Sequence, residues 1–164
     1  MGERYLKSIR LLAQCMQGFE RYSGDNVRRQ GLTPAQFDLI ATLGNTAGMS
    51  CKELGDKTLI TKGTLTGVID RLEQKGLVER ERSSDDKRSF LVRLTSAGEQ
   101  LFDDVFPKIL AHDKQLFSHF SDADFTALEA TLSGLKQAMQ DSGASPGTGA
   151  GQGAPTHTKA KEQC

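Results

Sequence analysis

The sequence predicts a mainly α-helical chain with one small β-hairpin wing: a winged helix-turn-helix with further helices on either side. Three observations predict it. Residues 61–95 read as an amphipathic helix, a glycine stop and two short apolar segments around a polar tip. Two capping boxes upstream, Thr33-Pro34-Ala35-Gln36 and Ser50-Cys51-Lys52-Glu53, each open a helix. Both flanks of this region carry apolar residues at three- and four-residue spacing.

The first helix rests on Tyr5, Ile9, Leu12, Met16 and Phe19, with Leu6 and Ala13 beside them. In the next, Thr33 is the cap, Pro34 fits the first helical position, and Phe37, Ile40, Ala41 and Leu43 supply the buried side. The segment Gly44 to Gly48 breaks it. Ser50 opens a short helix with Leu54 facing inward, and a turn around Lys57 to Ile60 leads on. Leu65, Val68, Ile69 and Leu72 then form one apolar face, with Thr61 as N-cap accepting from an early backbone N–H. Gly76 stands where a left-handed residue ends a helix, and Leu77 provides the apolar contact beyond it.

Val78 to Arg82 and Phe90 to Leu94 are rich in β-branched, aromatic and aliphatic residues and read as strands. Ser83 to Ser89 between them is too polar for a core. Ser96-Ala97-Gly98-Glu99 opens a long helix with Leu101, Val105, Ile109, Leu116 and Phe120, in which Pro107 predicts a bend. Ser121-Asp122-Ala123-Asp124 opens the last helix, with Phe125, Leu128, Leu132, Leu135 and Met139 at regular spacing. From Asp141 onward Gly, Ser, Ala and Pro dominate, which predicts a disordered tail.

Two short helices at an angle, the second exposing its N-terminal half, suit the major groove of duplex DNA. The outward side of the Thr61 helix carries Thr61, Lys62, Gly63, Thr64, Thr66 and Gly67. Small side chains let a helix approach base edges, and hydroxyls bond bases or phosphates. Arg71 follows on the same helix. At the hairpin tip, Asp86 can brace the loop while Lys87 and Arg88 meet phosphate or the minor groove.

The order LTPAQFDLIATL followed by MSCKELGDKTLITKGTLTGVIDRLEQKGLVERERSSDDKRSFLVRLTSAG resembles the MarR (multiple antibiotic resistance regulator) family. The strongest matches are DRLEQKGLVER, the wing Asp86-Lys87-Arg88 and Leu94-Thr95-Ser96-Ala97-Gly98. The motif region covers roughly residues 32–98, and the helical pattern fits out to about Gln140. The resemblance implies a dimeric transcriptional regulator, in most members a repressor, released from DNA by a small aromatic acid or phenolic ligand. It implies that Thr61 to Thr66 face the major groove and that Arg88 enters the minor groove, positioned by Asp86. Gly67 departs from the family, where many relatives have a larger polar or basic residue.

The domain division expected is 1–31 for an N-terminal dimerisation helix, 32–95 for the DNA-binding winged helix, 96–140 for C-terminal dimerisation helices and 141–164 for the tail. A homodimer with two-fold symmetry calls for an inverted-repeat, palindromic operator in double-stranded DNA. The whole chain has 21 Lys and Arg against 21 Asp and Glu, an unpromising balance for a DNA binder. It is unevenly spread: residues 1–94 hold 16 against 12, and residues 95–164 hold 5 against 9. Affinity is then expected to depend on dimerisation and on the wing. No apolar run approaches a membrane span, and the start MGERYLKSIR lacks a signal-peptide core, so the expectation is a cytoplasmic protein with no membrane partner.

A small-molecule site is expected between the reading unit and the dimer base, with Met16, Phe19, Tyr22, Phe37 and Ile40 as walls and Arg10 and His112 to meet a carboxylate or phenolate. The alternative is a cysteine-based redox-sensing repressor. Cys15 lies on the first helix, though further along it than the sensing cysteine of such family members and without the neighbouring tyrosines. Cys51 sits in the first turn of a helix, where the dipole can lower a thiol pKa. Buried, inert thiols are the simpler expectation. No cofactor is expected, and no metal: three cysteines at 15, 51 and 164 make no metal-type pairing. An enzyme is disfavoured by the lack of a phosphate-binding glycine loop, a paired His and carboxylate spacing or a nucleophile elbow. A protein-binding winged helix without DNA binding is the remaining alternative.

Overall fold

A computed structural model describes residues 3–82 and 90–143 of the chain. In order the elements are α1 (Arg4–Arg29), α2 (Pro34–Leu43), β1 (Met49–Ser50), α3 (Cys51–Lys57), α4 (Lys62–Gln74), β2 (Val78–Arg82), β3 (Phe90–Leu94), α5 (Ser96–Leu116) and α6 (Asp122–Gly143). The two predicted wing strands are present with the bounds read from the sequence. A third was not foreseen: β1 pairs antiparallel with β3, Met49 opposite Val92, giving the sheet order β1-β3-β2. Two residues are too short a run to show alternation in sequence.

The fold divides into two compact units between Gln115 and Leu116. In the first, α2, α3, α4 and the sheet close around Leu39, Ile40, Leu43, Leu54, Ile69, Leu72, Val78 and Val92. Val27 of α1 and Phe102, Val105 and Ile109 of α5 complete this core. The buried side of α2 differs from expectation. Leu39 and Gln36 are buried with Ile40 and Leu43, whereas Phe37 and Ala41 are half-buried. The helix packs against α1, α3, α4 and β3, so no single stripe describes it.

Local capping explains where the helices start and stop. Thr33 and Ser50 form the two reciprocal boxes predicted, with Gln36 and Glu53 at the third position. At the end of α4 the Leu77 N–H donates to the Leu72 carbonyl and the Gly76 N–H to that of Glu73, with Gly76 at φ 69°. This double bond pattern needs a left-handed residue, and glycine takes it without strain. Thr61 is the N-cap residue of α4, yet its side chain makes no cap bond; its hydroxyl pairs at 2.9 Å with that of Thr64. The cap of α5 is Thr95, one residue before the predicted Ser96, and its Oγ1 accepts from the Gly98 N–H at 3.1 Å. Ser121 and Asp124 cap α6 as expected.

In the second unit, Phe125 of α6 clusters with Phe117 and Phe120, with ring centroids 5.6–5.8 Å apart. Phe120 therefore lies beyond α5, which ends at Leu116 after passing through Pro107. No helix among the described residues is long and apolar enough to cross a membrane. The tail from residue 144 on lies outside the described residues.

Candidate nucleic-acid interface

The outward side of α4 is built from residues that its burial leaves over. Leu65, Val68, Ile69 and Leu72 are at most 4% exposed and fix the rotation of the helix. Thr61, Lys62, Gly63, Thr64 and Arg71 are exposed, and Thr66 and Gly67 are half-buried. A Cβ added at Gly63 or Gly67 would meet nothing within 4 Å. Four residues apart on one helix, the two glycines leave a low, bare stretch of backbone flanked by hydroxyls, Lys62 and Arg71.

Sequence reading missed the group that ties this helix to the wing. Arg80 of β2 donates through one guanidinium nitrogen to Asp70 and through another to Glu73, both on α4. Asp70 and Glu73 are three apart, so one helical face presents both carboxylates to a single fork. The signal was in DRLEQKGLVER: two acids at that spacing, a glycine stop, then an arginine on the first strand. Across the sheet, Arg93 pairs with Glu79, its direct partner in register, and with Glu81. Arg82 lies over the Phe90 ring, 5.4 Å from its centroid, at the last pair before the tip. Asp86, Lys87 and Arg88 are outside the described residues.

The base of the wing is closed tightly. Thr95 N–H donates to the Leu77 carbonyl at 3.1 Å, and the Thr95 hydroxyl donates to the Gly76 carbonyl at 2.6 Å. Gly98 then passes so close that a Cβ would lie 2.0 Å from the Leu77 oxygen. The turn before α4 is held as well: the Leu59 N–H donates to Asp38 of α2 at 2.8 Å, and the Thr58 hydroxyl to the Leu54 carbonyl at 2.6 Å.

Of the residues expected around a small molecule, two are brought together. Tyr22 of α1 stacks on His112 of α5 with centroids 4.2 Å apart, and its hydroxyl donates to the His112 carbonyl at 3.2 Å. Ser23 and Asp113, not anticipated, join them: the Ser23 hydroxyl donates to Asp113 at 2.7 Å, whose other oxygen is 3.2 Å from His112 Nδ1. His112 is thus engaged within its own chain. Phe37 faces Phe106 at 6.3 Å. Arg10, Met16 and Phe19 are exposed on α1. Ile40 is 2% exposed and belongs to the core, not to an open wall. Cys15 is exposed, against the expectation of a buried thiol, and Cys51 is half-buried in the first turn of α3.

Known proteins share this architecture. Residues 32–90 match the MarR family model. The HTH-type transcriptional regulator MhqR of Bacillus subtilis is 29% identical over 124 residues, covering 76% of this chain and 86% of that protein. The structure of the transcriptional repressor CouR bound to a 23-mer DNA duplex superposes with a TM-score of 0.69 at 26% identity, over 83% of this chain and 96% of that one. That of Bordetella bronchiseptica BpsR, whose DNA binding is regulated by 6-hydroxynicotinic acid, does so with 0.69 at 25%, over 77% and 91%. With α4 braced to a three-stranded sheet, the match over residues 32–90 and these relatives support a DNA-binding transcriptional regulator of the MarR family.

Proposed function

We propose that the protein is a homodimeric repressor that binds an inverted-repeat operator and leaves it when a small aromatic acid or phenol binds. The observation that carries the reading is the exposed first turn of α4, a helix locked at its other end to β2 through Arg80. In this reading Thr61, Lys62, Gly63, Thr64, Thr66 and Arg71 face the major groove. Asp86 orients Arg88 into the minor groove, and Lys87 meets phosphate. Residues 32–95 do the reading, and residues 1–31 and 96–140 join the two subunits. Repression follows the example of CouR, and control by an aromatic acid follows that of BpsR. The effector would settle against the Tyr22 and His112 pair, with Met16, Phe19 and Phe37 as apolar neighbours and Arg10 of either subunit for its acid group.

Gel-shift titration on the DNA upstream of its own gene tests the wing. Arg88→Ala should weaken binding by about 1–3 kcal/mol if the side chain reads the groove; an unchanged titration removes it from the interface. Release by the effector should persist in Cys15→Ser and Cys51→Ser variants. Its loss in either would favour the redox alternative, to which the exposure of Cys15 lends support.

A further inference from the structure

We propose that Leu59, in the turn between α3 and α4, is an apolar DNA contact that packs on a thymine methyl or a deoxyribose at the edge of the groove read by α4. The inference rests on the reading of α4 as the groove helix. Leu59 is 90% exposed, the highest value among the exposed large hydrophobic residues described. Its neighbours Thr58 and Ile60 are 7% and 8% exposed, so the turn is packed on both sides of it. The backbone there is fixed by side chains: Asp38 accepts the Leu59 N–H at 2.8 Å, and Thr58 bonds back to Leu54. A solvated loop gains nothing from holding an isobutyl group outward, and a leucine there costs hydration in the free protein.

Position narrows what covers it. Leu59 stands two residues before Thr61, the N-cap of α4, and beside the exposed Lys62 and Thr64. Any duplex that meets the N-terminal end of α4 lies near this turn, because Leu59 precedes the N-cap by only two residues. The major groove offers one apolar group to such a side chain, the C5 methyl of thymine, and its wall offers the sugar.

The test begins with duplexes selected from a random pool by the wild-type protein. Affinities of wild type and Leu59→Ala are then measured on the selected site and on copies in which each thymine of one half-site is replaced by deoxyuridine. Leu59→Ala should bind the selected site roughly tenfold more weakly, the equivalent of losing part of a buried isobutyl group. Its melting temperature should match the wild type, since the side chain buries almost nothing in the free chain. If thymine is the partner, one deoxyuridine replacement weakens the wild type and leaves Leu59→Ala unaffected; if the sugar is, no replacement discriminates between them. Equal affinity of the two proteins on the selected site overturns the inference while leaving the α4 reading intact. If Lys62→Ala and Arg71→Ala also bind as wild type, the α4 reading fails and the inference with it.

Discussion

A Cβ at residue 98 would lie 2.0 Å from the Leu77 carbonyl oxygen and 3.0 Å from its carbon. Backbone cannot yield as a side-chain tip can, so Gly98→Ala should destabilise the protein by about 1–3 kcal/mol, as overpacking does. Urea unfolding measures it, and an unchanged midpoint would remove the steric argument. Single residues also set the acid response. Glu53 accepts from the Ser50 N–H at 2.8 Å and from its hydroxyl at 2.9 Å, and these bonds, the backbone one foremost, hold its pKa below the ordinary glutamate value. Asp124 is lowered by the Ser121 hydroxyl and then by its N–H. A group with a depressed folded pKa binds fewer protons folded than unfolded. Its stabilisation is complete above the unfolded-state value and is lost as pH falls through the folded one. Melting temperature should therefore drop in acid below the ordinary carboxylate range. Glu53→Gln, which keeps an acceptor but cannot titrate, should drop less steeply, and parallel curves would remove this box from the response. Both boxes were legible in sequence because a cap and its third residue are local. Thr95 was displaced by one position because Ser96 is an equally good cap by type; only the contact with Gly76 and Leu77 decides between them.

At the scale of elements, α4 and the wing act as one piece through the Arg80 fork. Arg80→Ala leaves Asp70 and Glu73 unpaired, and with Arg80 only 20% exposed the loss should reach about 1–2 kcal/mol, above that of an open surface pair. DNA affinity should fall further than stability explains, because two freed carboxylates would then stand on the helix proposed to enter the groove. Chemical unfolding and gel shifts on the same preparation separate the two effects; a DNA affinity unchanged after the stability loss would show that the fork serves folding alone. The wing strands and α4 were legible because their apolar periodicities are complete within a few residues. β1 was not, since two residues acquire strand character only from pairing with Leu91 and Val92. Nor was the Tyr22, Ser23, His112 and Asp113 cluster complete in sequence: Ser23 and Asp113 are 90 residues apart and meet only when α1 lies on α5.

At the scale of the molecule, the apolar seams read from sequence are largely open in the single chain. On α1, Tyr5, Leu6, Ile9 and Met16 are 45–65% exposed; on α6, Leu128, Leu132 and Met139 are 41–56% exposed. Covering by a second subunit is the proposed use of both seams. Leu128→Asp combined with Leu132→Asp should shift the protein to a monomer in sedimentation equilibrium and sharply weaken binding to a full inverted repeat, with less effect on an isolated half-site. A variant that remains dimeric would place the subunit contact elsewhere.

The bare stretch at Gly63 and Gly67 has a consequence for retargeting. Most residues that touch a ligand also carry packing, so altering them trades stability for specificity. Here side chains can be added into open space, and replacing a mid-helix glycine gains roughly 0.5–1 kcal/mol of helix propensity. A library confined to these two positions should therefore yield folded proteins almost throughout, differing in the operators they prefer. They are two unwritten letters on the proposed reading surface, available to evolution or to an engineer without repair elsewhere.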